Sequence, residues 1–384
     1  MHLFLAMAGL CRALVPAAAA ILIAVPMFPR PGGAPPDGGP ARAASPAPIS
    51  QSALLALGEG EFQSRIETDP GCLGTLSIGT PSGGILLNGI AMPAGPGWDV
   101  VQPAESLGTA ETVASIQTAI AKVNEIYPDS PPLSIGDISD SSGGRLNRHI
   151  SHQAGRDVDL GFYYKNGRGR WYTAGTSANL DLPKNWALVR ALIACTDVEK
   201  ILLDIKIQSL LYNYARSIGE DKAWLDRVFK FVKGADEARI CHVRGHRTHY
   251  HVRFYNPLAQ ELGRRAYQHL IRLGKIKPPV FTVRHTVREG ETLGQIARRY
   301  GVSIRSIQQY NGLATTLIRA GRSYRIPVKG AVKPPSSPLV FPVRMLPTRT
   351  PASLAAFKWP APVEMYGEVL FRLARTPLLG GCPR

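Results

Sequence analysis

The feature that most constrains this chain is the clustering of its histidines. Nine histidines are present, and six of them fall into two short segments, RHISHQAGRDVD at residues 148–159 and HVRGHRTHYH at residues 242–251. Both segments lie beside apolar runs that read as strands. A catalytic metal site needs several nitrogen or oxygen ligands that converge while one position stays open. The two segments together are therefore a candidate metal site. The alternative hypothesis is a cluster of surface histidines without a metal.

Spacing within the two segments supports convergence on one ion. His152 and Asp159 are separated by a glycine-containing turn, so both can reach the same ion. His249 and His251 are two residues apart, so on a strand their side chains point to the same face. One of these two histidines can be a ligand while the other lies beside the water. Histidine and carboxylate ligands with an open position are typical of catalytic Zn²⁺, which is the cofactor that the sequence predicts.

The first 28 residues are almost continuously apolar, and the run from Ala13 to Phe28 has the length of a signal-peptide core. A site of small residues suited to cleavage lies at Ala41–Ala43, ahead of Ala44. Residues 1–43 are therefore predicted to be a signal peptide followed by a Pro/Gly linker, with an N-terminal membrane anchor as the alternative. This predicts an exported protein of the periplasm or cell envelope.

The chain carries a net charge of +17, from 45 Lys and Arg against 28 Asp and Glu. Such a balance favours an anionic partner, which can be nucleic acid, an acidic membrane surface or an acidic wall polymer. The basic residues are not interleaved with aromatics as in single-strand binders. Together with the predicted export, this argues against nucleic acid as a partner.

Beyond the leader, four cysteines remain: Cys72, Cys195, Cys241 and Cys382. No CxxC pair occurs, so a thiolate zinc site has little support. In an exported protein the expectation is one or two structural disulfides, whose pairing the sequence does not select.

The pattern of apolar, glycine and proline residues divides the rest of the chain into three further regions. Residues 71–275 mix short apolar strands with helices, such as one over Glu111–Ile126, in no regular alternation, which predicts an α+β domain. Residues 283–329 form a compact unit in the order β-α-α-β, with Gly301 placed at the end of its first helix. Residues 331–384 are a Pro-rich tail to which no fold is assigned.

The segments HISHQAGRDVDLGFYY and HRTHYH, with SIGDISDSSGG before them, resemble the penicillin-insensitive murein endopeptidases. These belong to the wider group of lysostaphin-like and D-Ala-D-Ala metallopeptidases, and the resemblance covers roughly residues 72–260. It implies an antiparallel sheet with flanking helices, and zinc bound by His152, Asp159 and His251. The implied activity is cleavage of the D-alanyl-to-diaminopimelate cross-link between the peptide stems of peptidoglycan.

The same resemblance directs the search for a base. Related dipeptidases place a glutamate three residues before the last ligand, where this chain has Thr248, which cannot serve as a base. His249 is therefore the first candidate for the base and transition-state stabiliser, and His246 the second. Three further residues are accessory candidates: Asp157 to orient a histidine, His149 for a metal role, and Arg156 to hold a substrate carboxylate. A plain surface role is the alternative for Asp157 and Arg156.

The compact unit at residues 283–329 resembles a LysM module, through HTVREGETLGQIARRYG and the closing AGRSYRIP. LysM modules bind glycans that contain N-acetylglucosamine. The sequence therefore predicts a zinc endopeptidase that is anchored on peptidoglycan by LysM. The alternatives are a D-alanyl-D-alanine carboxypeptidase or dipeptidase, and a non-catalytic peptidoglycan-binding protein.

Overall fold

A computed structural model describes residues 50–146, 149–167, 171–230, 238–278, 280–329, 344–347 and 349–355 of the chain. The predicted leader, residues 1–43, lies outside these ranges. Among the described residues, no helix is both long enough and apolar enough to cross a membrane.

The described residues form short strands and helices in no regular alternation along the chain. The strands are β1 (Leu76–Thr80), β2 (Gly83–Leu87), β3 (Ile90–Ala91), β4 (Trp98–Val100), β5 (Leu107–Gly108), β6 (Leu133–Ile135), β7 (Asp157–Leu160), β8 (Val198–Leu203), β9 (Ile240–His242), β10 (Tyr250–Phe254), β11 (Val280–Thr286) and β12 (Ser323–Lys329). The α-helices are α1 (Gln51–Leu55), α2 (Glu59–Thr68), α3 (Ala110–Ile126), α4 (Leu182–Cys195), α5 (Ile205–Ser217), α6 (Lys222–Val228), α7 (Pro257–Arg272), α8 (Leu293–Tyr300) and α9 (Ile304–Asn311).

The main sheet has six strands in the order β4-β6-β7-β10-β8-β9. Its centre is antiparallel, through the pairs β6–β7, β7–β10 and β10–β8, whereas the pairs β4–β6 and β8–β9 at its two ends are parallel. Residues of α3, α4, α5 and α6 share one hydrophobic core with this sheet. The predicted α+β class is confirmed, and the sheet is mixed rather than antiparallel throughout.

Helix α3 illustrates how local sequence determines an element of this core. The Thr109 side chain caps the helix by accepting a hydrogen bond from the backbone N–H of Thr112 at 3.1 Å. Val113, Ile116 and Ile120 recur at three- and four-residue steps and are buried. The observed span, Ala110–Ile126, agrees with the helix predicted over Glu111–Ile126.

A second core lies where α1, α2 and the β1–β2 hairpin meet α7. Helices α1 and α2 precede the predicted domain start at residue 71, and the hydrophobic pattern of α7 was not recognised in the sequence. Short helices such as α1 depend on tertiary contacts for stability, which local patterns do not reveal.

The module predicted at residues 283–329 has the predicted order β11-α8-α9-β12 and a small hydrophobic core of its own, and its first strand begins three residues earlier, at Val280. Thr292 and Gln295 form a reciprocal capping box at the start of α8. Gly301 ends α8 with a φ of 64°, in the left-handed region that glycine adopts without strain.

Part of the Pro-rich tail packs on the main domain. Trp224 donates its indole N–H to the carbonyl of Met345 at 2.9 Å, and Leu354 is buried in the main core. The Arg344 guanidinium lies 3.1 Å from the Asp197 carboxylate. The segment 344–355, to which the sequence assigned no fold, is thus docked where it is described.

The described cysteines are not joined to one another: Cys72, Cys195 and Cys241 are each unpaired. Cys382 lies outside the described residues. The expected disulfides are therefore not found among these three cysteines.

Candidate metal centre

The centre is built on two neighbouring strands of the main sheet, β7 and β10. In their antiparallel register, His251 lies opposite Asp159 and Arg253 lies opposite Asp157. Side chains directly opposite each other project from the same face, and side chains two residues apart along a strand do so as well. The pairing therefore gathers Asp157, Asp159, His251 and Arg253 on one face of the sheet.

His152 reaches this face from the loop between β6 and β7. The start of that loop is bonded to β7, because Gly136 donates to the Asp159 carbonyl at 2.8 Å and Asp159 donates to the Asp137 carbonyl at 3.1 Å. His152 itself has a φ of 64°, a left-handed conformation that is unusual for a residue with a side chain. Such strained backbone is concentrated at functional sites.

Three ligand atoms converge at the centre. The Nε2 atom of His152 lies 3.3 Å from Oδ1 of Asp159, and Nδ1 of His251 lies 3.2 Å from the same oxygen. The two histidine nitrogens are 3.2 Å apart. All three side chains are buried. The two sequence segments that carry the histidine clusters therefore meet at one point.

The unsatisfied atoms at this point fit a cation. Both carboxylate oxygens of Asp159 are buried and lack a hydrogen-bond partner among the described residues. Two overlapping groups of side chains offer ligand atoms within 4.8 Å of one another, one with His149, His152 and Asp159, the other with His152, Asp157 and His251. Because a buried carboxylate is costly unless it is well paired, a divalent metal ion between Asp159 and the two histidine rings would satisfy it.

Hydrogen bonds on the outer side of each histidine ring direct the inner nitrogen toward this point. The Nδ1 atom of His152 lies 3.1 Å from the Ile138 carbonyl, which can only accept, so Nδ1 carries the proton and Nε2 is free. The Nε2 atom of His251 lies 3.1 Å from Oδ2 of Asp157, which leaves Nδ1 free. Such outer partners set the tautomer of metal-binding histidines.

Asp157 differs from Asp159 in that its oxygens are already bonded. Arg253 donates to both of them, at 2.7 and 2.8 Å. Although burial alone would raise the pKa of Asp157, the hydrogen bonds from Arg253 and His251 hold that pKa well below its usual range. Asp157 thus orients His251 and is less available as a ligand than Asp159.

The two carboxylates act together on His251. Burial alone would lower the pKa of His251, but Asp157 and Asp159 raise it to about 9. Burial would likewise raise the pKa of Asp159, yet the neighbouring His152 and His251 hold it well below its usual range. Since the two carboxylates already favour a positive charge on His251, a metal cation bound at this point must displace the proton of His251.

The accessory candidates fall into different places. His149 lies 2.8 Å from the Asp137 carboxylate through Nε2, and its Nδ1 is 3.8 Å from Oδ2 of Asp159, at the rim of the centre. The structure does not bring Arg156 to this point. Its side chain is almost completely buried, and its Nη1 lies 3.6 Å from the Glu199 carboxylate.

The two candidate bases also border the centre. The Nδ1 atom of His249 lies 2.9 Å from the Thr248 hydroxyl, and its Nε2 is 3.6 Å from Oδ2 of Asp159. Burial lowers the pKa of His249 to about 4, so the ring is neutral at neutral pH. The ring centroid of His246 is 5.1 Å from that of His249, and Nδ1 of His246 has no hydrogen-bond partner among the described residues.

An aromatic wall stands beside His249. The ring centroids of Trp171 and Tyr172 lie 6.3 and 5.3 Å from that of His249. Trp171 packs closely over Gly136, where an added Cβ would come within 2.2 Å of the indole ring. The surroundings of His249 are therefore partly apolar.

Sequence reasoning singled out Asp157, which contacts His251, but missed the other residues around the ligands. The Ile138 carbonyl, Asp137 and Arg253 all contact the centre, and none of them was singled out. For Arg253 a signal was present, because it follows His251 by two positions and so shares its face of the strand.

Comparison with known proteins gives two family matches. The family described as penicillin-insensitive murein endopeptidase matches residues 77–268, which is half of the 384-residue chain. The family described as LysM domain matches residues 285–327. No curated protein matches the chain.

The Asp157–His251 contact predicts a measurable change in proton affinity. In metal-free protein, Asp157→Asn should lower the pKa of His251 from about 9 by about one unit or more, because one of the two carboxylates that favour the charged imidazole is removed. Histidine NMR titration measures this shift. Asp129→Asn, a change at an exposed carboxylate, is the matched control, and an unaltered His251 titration in Asp157→Asn would contradict the assignment.

Proposed function

Because the chain belongs to the penicillin-insensitive murein endopeptidase family, we propose that it is a zinc-dependent endopeptidase that hydrolyses D-alanyl-to-diaminopimelate cross-links in peptidoglycan. The observation that carries this proposal is the convergence of His152, Asp159 and His251, whose ligand atoms lie 3.2 to 3.3 Å from one another. Two nitrogens and one carboxylate oxygen are a ligand set that catalytic zinc uses in other peptidases.

Zn²⁺ held by these three side chains would supply a Lewis acid that polarises the scissile carbonyl and lowers the pKa of water. The residues around these ligands would orient them. Asp157 and the Ile138 carbonyl hold the two histidine rings in the orientation that points a free nitrogen inward. Both ligating histidines are buried, which keeps the ligand geometry fixed.

His249 is the residue we assign to proton transfer. Its ring is neutral at neutral pH, so Nε2 can accept a proton from the attacking water and pass it to the leaving amine. The Thr248 hydroxyl can either accept from or donate to Nδ1, so it can accompany both tautomers of the ring. His246, one ring further out, is the second candidate for this role.

The LysM module would hold the enzyme on its insoluble substrate. A module that binds N-acetylglucosamine-containing glycan raises the concentration of the peptidase near the cross-links without taking part in the reaction. Peptidoglycan is found in the cell envelope, so this activity requires export. The apolar leader at residues 1–43 supports export to the periplasm or cell envelope, by a cleaved signal or a retained anchor.

The three ligands can be tested by metal content. His152→Ala, Asp159→Ala and His251→Ala should each lose tight zinc binding and hydrolysis, because a catalytic zinc needs all three protein ligands. Metal analysis of the purified variants measures this. His242→Ala, an exposed histidine of the same segment, should keep its zinc. A full equivalent of zinc in all three ligand variants would refute the assignment.

The role of His249 predicts a separation of metal binding from turnover. His249→Ala should retain zinc but lose roughly 10²-fold or more in kcat, as expected for removal of a general base. Steady-state kinetics on zinc-loaded protein measures the loss, with His242→Ala again as the control. Near-normal turnover would transfer the role to His246, which His246→Ala then tests.

The bond that is cut can be identified by mass spectrometry of purified cross-linked muropeptides. An endopeptidase should convert each dimer into two monomers that together gain one water, with His251→Ala as the inactive control. Release of free D-alanine from uncross-linked stems would indicate the carboxypeptidase alternative. A zinc-loaded protein that binds peptidoglycan but yields neither product would be a non-catalytic binding protein.

A further inference from the structure

A cavity of about 360 Å³ lies between the peptidase loop that carries His149 and the LysM module. We call it the seam cavity. Arg145, His149 and Ile150 line it from the peptidase, and residues of β11, α9 and β12 line it from the module. Because His149 also borders the metal centre, the seam cavity adjoins the place where a substrate would react.

The seam cavity is strongly basic. Four arginines line it, and no aspartate or glutamate does: Arg145, Arg284, Arg322 and Arg325. Arg284 and Arg325 lie directly opposite each other in the β11–β12 pair, where two like charges destabilise a sheet. Burial lowers the pKa of Arg325, and the positive charges of Arg145 and Arg284 lower it further. An anion between these groups would relieve their repulsion.

Arg145 has a fixed guanidinium group with an unsatisfied donor. Its guanidinium lies over the Tyr310 ring, 4.5 Å from the centroid, which holds it toward the module. Its Nη1 atom is buried and has no hydrogen-bond partner among the described residues. A buried donor without an acceptor is costly, and an anionic oxygen would satisfy it.

The opposite wall is rigid. The Asn311 amide donates to the Arg325 carbonyl at 2.6 Å and accepts from the Arg325 N–H at 2.8 Å, so α9 is fixed to β12. Arg325 therefore enters the cavity from backbone that is already ordered. Preorganised guanidinium groups favour the planar, two-oxygen geometry of a carboxylate.

We propose that the seam cavity is an anion subsite that binds a free carboxylate of a peptide stem while the cross-link lies at the metal centre. This identification of the ligand rests on the proposed function. The LysM module then has a second role, since its arginines help to bind the peptide substrate in addition to any glycan. The subsite would favour stems with free carboxylates over stems in which these groups are amidated.

The test removes charge from both the protein and the substrate. Arg284 and Arg322 are exposed, so Arg284→Gln with Arg322→Gln should leave the fold intact. On a soluble cross-linked muropeptide with free carboxylates, the double variant should raise KM about tenfold with kcat nearly unchanged. On the amidated muropeptide, variant and wild type should have similar KM values. Arg298→Gln, an exposed arginine of α8 that does not line the cavity, is the matched control.

Binding of the unlinked stem tripeptide provides a readout that does not depend on cleavage. The double variant should weaken its Kd about tenfold, and Arg298→Gln should not. An unchanged KM and Kd, or equal losses on the acid and amidated substrates, would overturn the subsite. Inorganic phosphate that binds more tightly than the tripeptide, in a manner lost in the double variant, would overturn the carboxylate assignment.

The two proposals fail separately. If the wild type cleaves the dimer but the double variant matches it in KM and Kd, the subsite is wrong and the endopeptidase proposal stands. If the wild type cleaves neither substrate but the tripeptide Kd depends on Arg284 and Arg322, the subsite stands and the endopeptidase proposal is wrong.

Discussion

The pairing register of β7 with β10 is the constraint on which the candidate metal centre depends. Asp159 lies opposite His251 because these two strands pair in that register and no other. A shift by one residue would turn both side chains to the opposite face of the sheet. Burial on both sides makes such a shift costly, since Val158 and Val252 are fully buried beneath the ligands. The hydrophobic core therefore positions the ligands, and the ligands do not have to hold the sheet together.

The polar residues around the ligands offset the free-energy cost of burying charged side chains. Two aspartates, Asp157 and Asp159, are buried on the same face of β7, and buried charges are tolerated when they are paired. Arg253 and His251 neutralise Asp157 through short hydrogen bonds. The carboxylate of Asp159 accepts no hydrogen bond of good geometry among the described residues and lies 3.2 to 3.3 Å from nitrogens of His152 and His251, so a cation held between these groups is the partner that its environment favours. One carboxylate thus has a structural role, and the other is left available.

The module and the described part of the tail both pack against the peptidase domain. The LysM module has its own core, yet its arginines share a cavity with the loop that carries His149. The described part of the tail packs on the main core through Met345 and Leu354. The region that matches the peptidase family and the LysM module therefore contact each other at a basic cavity. The cavity is thus lined by residues from both regions.

The sequence by itself determined the elements whose signals are local. Periodic apolar residues and caps predicted α3 and the β-α-α-β module, and residue type with spacing selected the histidines and Asp159 as candidates. The signal peptide of residues 1–43 and the catalytic role of His249 remain predictions. Only the tertiary structure decided which neighbours each candidate has. In the folded chain Asp157 contacts His251, and Arg156 lies beside Glu199, away from the metal centre. Arg145 packs on Tyr310 of the module. Those outcomes follow from strand register and from packing between distant segments, and neither leaves a periodic pattern in the chain.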